Sequence, residues 1–100
     1  MKYNQYKVSA TVWLYPGMAA WHFVTLPVDV SDDIKARFGD RARGWGSLPV
    51  TITIGETSWK TSIFPDKKAG AYLLPLKSEV RKKEHIAAKD TISFLLEIRV

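Results

Sequence analysis

At the carboxyl end of this chain, Ile92, Phe94, Leu96, Ile98 and Val100 alternate with Thr91, Ser93, Glu97 and Arg99, and Leu95 is the only break in the pattern. Successive side chains of a strand point to opposite faces, so this spacing specifies a strand with one face on a core and the other in water. The same period recurs near the start, where Tyr6, Val8, Ala10, Val12 and Leu14 alternate with Lys7, Ser9, Thr11, Trp13 and Tyr15. Both ends of the chain are thereby committed to half-buried β-structure.

The stretch between them reads as a succession of short elements. "YPGMAAW" supplies a turn at Pro16 and Gly17, and "WHFVTLP" returns as a second strand ending at Pro27, the pair forming a hairpin. "SDDIKARFG" reads as a helix with Ser31 as N-cap, Asp32 and Asp33 in its first turn, Ile34 and Phe38 inward, and Gly39 at its end. "LPVTITIG" and "TSWKTSIF", joined through "GET", read as a hairpin, and "AYLLPL" as a fifth strand. "SEVRKKE" is a second helix, begun by Lys77 or Ser78, with Val80, Lys83 and Ile86 facing inward. Trp21 and Trp59 share the phase of Phe23 and Ile63 and are expected inside.

The expected order is β-β-α-β-β-β-α-β: a mainly β domain with two short helices, arranged as a small closed or split β-barrel. An internal echo supports two similar halves. Leu26-Pro27-Val28-Asp29 and Leu74-Pro75-Leu76-Lys77 each lead into a helix, with the prolines 48 positions apart, and Asp40 and Asp90 follow the helices. A pseudo-twofold relation fits this echo. So does the plain preference of proline for strand-to-helix junctions.

One hundred residues suffice for one core, so residues 1–100 are read as a single domain. No cysteine is present, which excludes disulfides and thiolate metal sites and suits a reducing compartment. The amino end "MKYNQYKVSA" lacks an apolar leader core, and no apolar run reaches bilayer length, so a cytoplasmic protein without membrane contact is expected. The net charge of +5 is uneven: residues 60–89 carry eight Lys/Arg against three Asp/Glu, and the rest sums to zero. Such a segment is either a solvated basic face or an attractor of phosphate and carboxylate groups.

Catalytic signatures are thin. Ser62, His22, His85 and Asp66 supply residue types for hydrolysis, and Lys77 could serve Ser62 as a base, but no Gly-x-Ser-x-Gly elbow exists. Two lone histidines fall short of a zinc site, and "GDRARGWG" lacks the lysine and helix of a phosphate loop. The expectation is a protein that is not an enzyme and carries no cofactor.

The run "GWGSLPVTITIGETSWKTSIFP", followed by "LPLKSEVRK", resembles the uncharacterised bacterial family numbered 1905 among the domains of unknown function. "WHFVTLP" is similar to that family's second strand, so the resemblance spans nearly the whole chain. It implies a barrel of the AbrB and MazE type, whose short DNA-binding halves dimerise. A chain holding both halves would be a monomer. Related chains are sometimes joined to a small helical domain linked with bacteriocin protection, which implies a protein partner as a further reading. Two turns depart from the family pattern, with His85 and Lys89 standing where glycine is expected.

Two binding readings follow. If Trp45, Lys60, Ser62, Lys77 and Arg81 converge at one barrel mouth, they form a pocket for a small anion, with cations for charge, a hydroxyl for orientation and an aromatic wall. The alternative is nucleic acid held by the basic segment, through Arg41, Arg43, Lys67, Lys68, Lys82 and Lys83 with Trp45, Trp59 and Tyr72 as stacking surfaces. Asp29, Asp32 and Asp33 on the first helix oppose a symmetric basic face.

Overall fold

A computed structural model describes residues 4–17 and 20–100; Met1–Tyr3, at the amino end, and Met18 and Ala19, in the first turn, lie outside the described residues. The elements are β1 (Gln5–Leu14), β2 (His22–Thr25), α1 (Val28–Phe38), β3 (Leu48–Ile54), β4 (Thr57–Asp66), β5 (Ala71–Leu76), α2 (Ser78–Lys83) and β6 (Thr91–Ile98). The order is the one expected from the alternation. All neighbours pair antiparallel, in a closed ring β1-β2-β5-β4-β3-β6.

Exchanging β1 with β4, β2 with β5 and β3 with β6 leaves that ring unchanged, as a pseudo-twofold barrel requires. The proline echo itself is inexact: Pro27 is the N-cap of α1, whereas Pro75 lies within β5, ahead of the N-cap Lys77. The prolines therefore mark the same neighbourhood and not the same position.

The interior is aliphatic. Val24, Leu48, Val50, Ile52, Ile63, Leu74 and Leu96 are fully inaccessible, because their parity along each strand points them into the ring. Trp59 joins them at 9% exposure, but Trp21 is 52% exposed. In "WHFVTLP" the inward phase belongs to Val24 and Leu26, which puts Trp21 and Phe23 on the other side. The two large aromatics misled the phase because both parities of that segment are apolar.

The first helix starts earlier than Ser31. Val28 begins it, the Ser31 amide donates to the Pro27 carbonyl at 2.9 Å, and Ser31 is buried in its middle. The Ser31 hydroxyl oxygen accepts from the Tyr72 amide of β5 at 3.0 Å. This supplies a partner to a backbone donor that burial would otherwise leave unpaired. Asp29 takes the first-turn position, and Ile34 and Phe38 face inward as spaced. Gly39 follows the last helical residue in a right-handed conformation, so the helix tightens into a 3-10 turn instead of reversing.

The second helix ends in strain. The Ile86 amide donates to the Arg81 carbonyl at 2.9 Å, a closure that places His85 in the left-handed region at φ 55°. Val80 and Ile86 are buried together beneath it, while Lys83 is exposed, against the expected inward position. Lys89, at φ 77°, lies opposite Val12: its amide donates to the Val12 carbonyl and the Val12 amide to the Asp90 carbonyl, both at 2.8 Å. This is a β-bulge of the kind that normally uses glycine. Both turns thus keep the glycine geometry without the glycine. His85→Gly and Lys89→Gly are each expected to raise stability by about 0.5–1 kcal/mol, since the left-handed penalty of a side chain outweighs glycine's added unfolded-state entropy there. Urea melts of the two variants and the double variant check this, and a loss of stability in both would contradict the assignment.

Candidate functional site

Each half of the barrel contains a strand that leaves its neighbour. β1 pairs with β2 only through Val12, Trp13 and Leu14, and β4 pairs with β5 only through Phe64, Pro65 and Asp66. Upstream of those contacts, β1 follows β6 and β4 follows β3. Two gaps in the wall result.

The first gap lies beside α1. The Tyr6 hydroxyl donates to Asp33 Oδ2 at 2.7 Å, Arg37 pairs with the same oxygen at 3.0 Å, and the Arg37 guanidinium lies 5.7 Å from the Tyr6 ring. Burial, and next the hydrogen bond to Asp33, raise the Tyr6 phenol to about 12, with the Arg37 charge acting against them. A phenol whose folded value lies above its unfolded one favours folding below pH 10, and this contribution fades as pH rises toward about 12. Alkaline titration followed by phenolate absorbance is expected to show a late phase that Tyr6→Phe diminishes and Asp33→Asn moves in part to lower pH. The Tyr72 phenol is also raised by burial and stays in both variants.

Beside the second gap the helix has only six residues, and a concavity of about 640 Å³ remains. Lys60 borders it from β4, Lys77 from the N-cap of α2 and Arg81 from its last turn. Three of the five residues expected to converge therefore do so. Among the described residues no carboxylate lines the concavity, so none of them neutralises the cations within it. The wall is apolar: Trp59 from the barrel interior, and Trp21, Phe23, Phe64 and Pro75 from the outer face.

Arg81 is positioned by the backbone around it. Its Nε donates to the Leu76 carbonyl at 3.1 Å, its Nη2 to the Ala20 carbonyl at 3.3 Å, and its Nη1 faces His22 Nε2 at 3.5 Å. His22 Nδ1 lies 3.2 Å from the same Ala20 carbonyl. A carbonyl only accepts, so the proton is assigned to Nδ1, which leaves Nε2 as an acceptor toward Arg81. The guanidinium thus ties the β1-β2 turn, the end of β5 and α2 together.

The other two expected residues stand apart. Trp45 is 94% exposed, at φ 63° in a 3-10 turn beside Gly46, and a Cβ on Gly46 would come within 3.0 Å of Pro65. Pro65 is five residues from Lys60, or about 16 Å along β4. Ser62 is half-buried opposite Pro49 and does not line the concavity. Thr61, its neighbour on the parity of Trp59, does line it. A hydroxyl is present, one residue from the expected position.

The residues expected to hold nucleic acid are divided. Arg41 bonds to the Arg37 carbonyl, lies 3.7 Å from Asp40 and covers the Phe38 ring. Lys67 borders a second depression together with Lys35, and the carboxylates of Asp32 and Asp66 in the same lining offset the two lysines. Arg43, Lys68, Lys82 and Lys83 are exposed and line neither depression. Of the stacking candidates, Trp59 and Tyr72 are buried in the core. Among the described residues no group of three histidines, cysteines or carboxylates is arranged to hold a metal ion, and no helix is long and apolar enough to cross a membrane.

Sequence reasoning missed the aromatic surface beside the concavity. Trp13, Tyr15, Trp21 and Phe23 form a cluster on the β1-β2 hairpin, with ring centroids 5.3–6.5 Å apart. The Trp13 indole donates to Thr25 Oγ1 at 2.9 Å. The signal was present in the polar phase of β1, where Trp13 and Tyr15 occupy positions that Lys7 and Ser9 hold earlier in the strand.

No curated protein matches the chain. Residues 9–96 match the family described as Domain of unknown function (DUF1905). That stretch holds both helices and every residue lining the concavity, and the chain belongs to this family.

Proposed function

We propose that the chain is a non-enzymatic binding module that takes a small anion in the concavity beside the β4-β5 gap, with Lys60 and Lys77 as its direct cations and Arg81 as the third. The observation that carries this reading is the meeting of three cations from two separate elements at one apolar recess with no carboxylate among the described residues that line it. Low-dielectric walls strengthen the attraction of such cations for a phosphate or carboxylate. The exchange-symmetric ring supports kinship with the AbrB and MazE type, and a bacterial, cytoplasmic setting goes with that kinship. A ring closed within one chain needs no strand from a second copy to complete it, which favours a monomer.

Thermal melting at low salt with inorganic phosphate tests the reading, because a ligand that binds only the folded state raises the midpoint. The shift is expected to vanish in Lys60→Gln/Lys77→Gln, two exposed positions whose change leaves the fold intact. Persistence of the shift in that variant would place the anion elsewhere. Nucleic acid is the competing outcome: DNA affinity that falls steeply with salt and depends on Lys82 and Lys83 would favour it.

A further inference from the structure

We infer that the ligand of this concavity carries a planar aromatic ring joined through a spacer to a phosphate or carboxylate, the ring lying against Trp21, Phe23 and Phe64 and the anionic group at Lys60 and Lys77. The inference rests on the anion reading and adds the chemistry of the ligand's other half.

Size is the first argument. About 640 Å³ falls in the range of sites for small organic molecules and far exceeds what a lone inorganic anion fills. Exposure is the second. Trp21 is 52% exposed and Phe64 39%, and they border the same recess as Phe23 and Pro75, whose Cα atoms are register partners across β2 and β5. A contiguous apolar surface of this kind marks a binding site more often than isolated surface side chains do.

Ring geometry is the third argument. Trp21 meets Phe23 at 73° and Tyr15 at 51°. Neither contact is a parallel stack, and at 52% exposure the Trp21 ring keeps surface open to a planar ligand. The charge placement completes the case. Phe64 is four residues from Lys60, or about 13 Å along β4. A molecule that uses both must hold its ring and its anion apart, as a nucleoside monophosphate does.

Calorimetry with adenosine 5′-monophosphate, adenosine, inorganic phosphate and indole-3-propionate tests the inference, alongside the tryptophan indole N–H signals in nitrogen-15 spectra. The monophosphate is expected to bind at least tenfold more tightly than phosphate or adenosine. The Trp21 and Trp59 signals should move while the Trp45 signal stays. Trp21→Ala should reduce monophosphate affinity toward that of phosphate and leave phosphate affinity unchanged. Tighter binding of indole-3-propionate than of the monophosphate assigns the anion as a carboxylate within the same class. Equal affinity for phosphate and the monophosphate overturns the aromatic inference while the anion reading stands, and equal affinity for adenosine and the monophosphate overturns both. Affinity for single-stranded oligonucleotides that grows with length overturns the small-molecule ligand in favour of a strand.

Discussion

Leu96→Ala is expected to destabilise the chain by about 3 kcal/mol, within the range for truncating a buried leucine, and to lower the melting midpoint by about 15 °C for a domain of this size. Leu96 is fully inaccessible, and its backbone stands between Tyr6 of β1 and Ile52 of β3. The loss therefore falls where the first and last strands close the ring. Aliphatic neighbours held by ladders on both sides cannot collapse into the vacated volume, which puts the cost above that of simple transfer to water. The neighbouring Leu95 supplies the control. It is half-buried on the opposite face, beside Lys7 and Thr53, and Leu95→Ala should cost less than about 1.5 kcal/mol. Equal losses in the two variants would mean that β6 presents the wrong face, a one-residue slip that no other strand could accommodate.

That contrast explains which parts of the fold were legible in the sequence. β6, β3 and the first half of β1 were legible because one parity is apolar and the other polar, so the period determines the inward face without reference to neighbours. β2 was not, because Trp21 and Phe23 compete with Val24 and Leu26, and only closure of the ring selects the aliphatic pair. Ser31 looked like a cap because serine before two aspartates usually is one, while its partner, the Tyr72 amide, lies 41 residues away. The turns at His85 and Lys89 were legible as strained positions through their missing glycines, and both are left-handed. The site was half legible for a related reason. Charge concentration pointed to Lys60, Lys77 and Arg81, but the recess between them exists because β4 separates from β5 upstream of Phe64, a matter of pairing that local pattern does not encode. Trp45 attracted attention as an aromatic in a glycine loop, yet loop composition carries no information about distance from Lys60.

Arg81→Ala is expected to cost about 2–3 kcal/mol in stability as well as weakening phosphate binding, because the side chain is a brace before it is a ligand. A hydrogen bond from a charged donor is worth about 1.5–3 kcal/mol; the part-buried Nε contact to Leu76 at 3.1 Å carries most of this, and the longer contacts to Ala20 and His22 add less. Arg81→Lys separates the two roles. It keeps the positive charge, but an ammonium cannot span acceptors on the β1-β2 turn and at the end of β5 at once. The lysine variant should therefore remain destabilised by about 1–2 kcal/mol and bind phosphate more weakly than its unchanged charge implies, as the recess loses its shape. Denaturant melts and phosphate titrations on both variants decide between the roles. If Arg81→Lys restores phosphate affinity while stability stays low, charge alone governs binding and the brace serves only the fold. If Arg81→Ala melts like the parent chain, the three contacts contribute nothing to holding α2 against the barrel, and Arg81 joins Lys60 and Lys77 as a plain surface cation of the concavity.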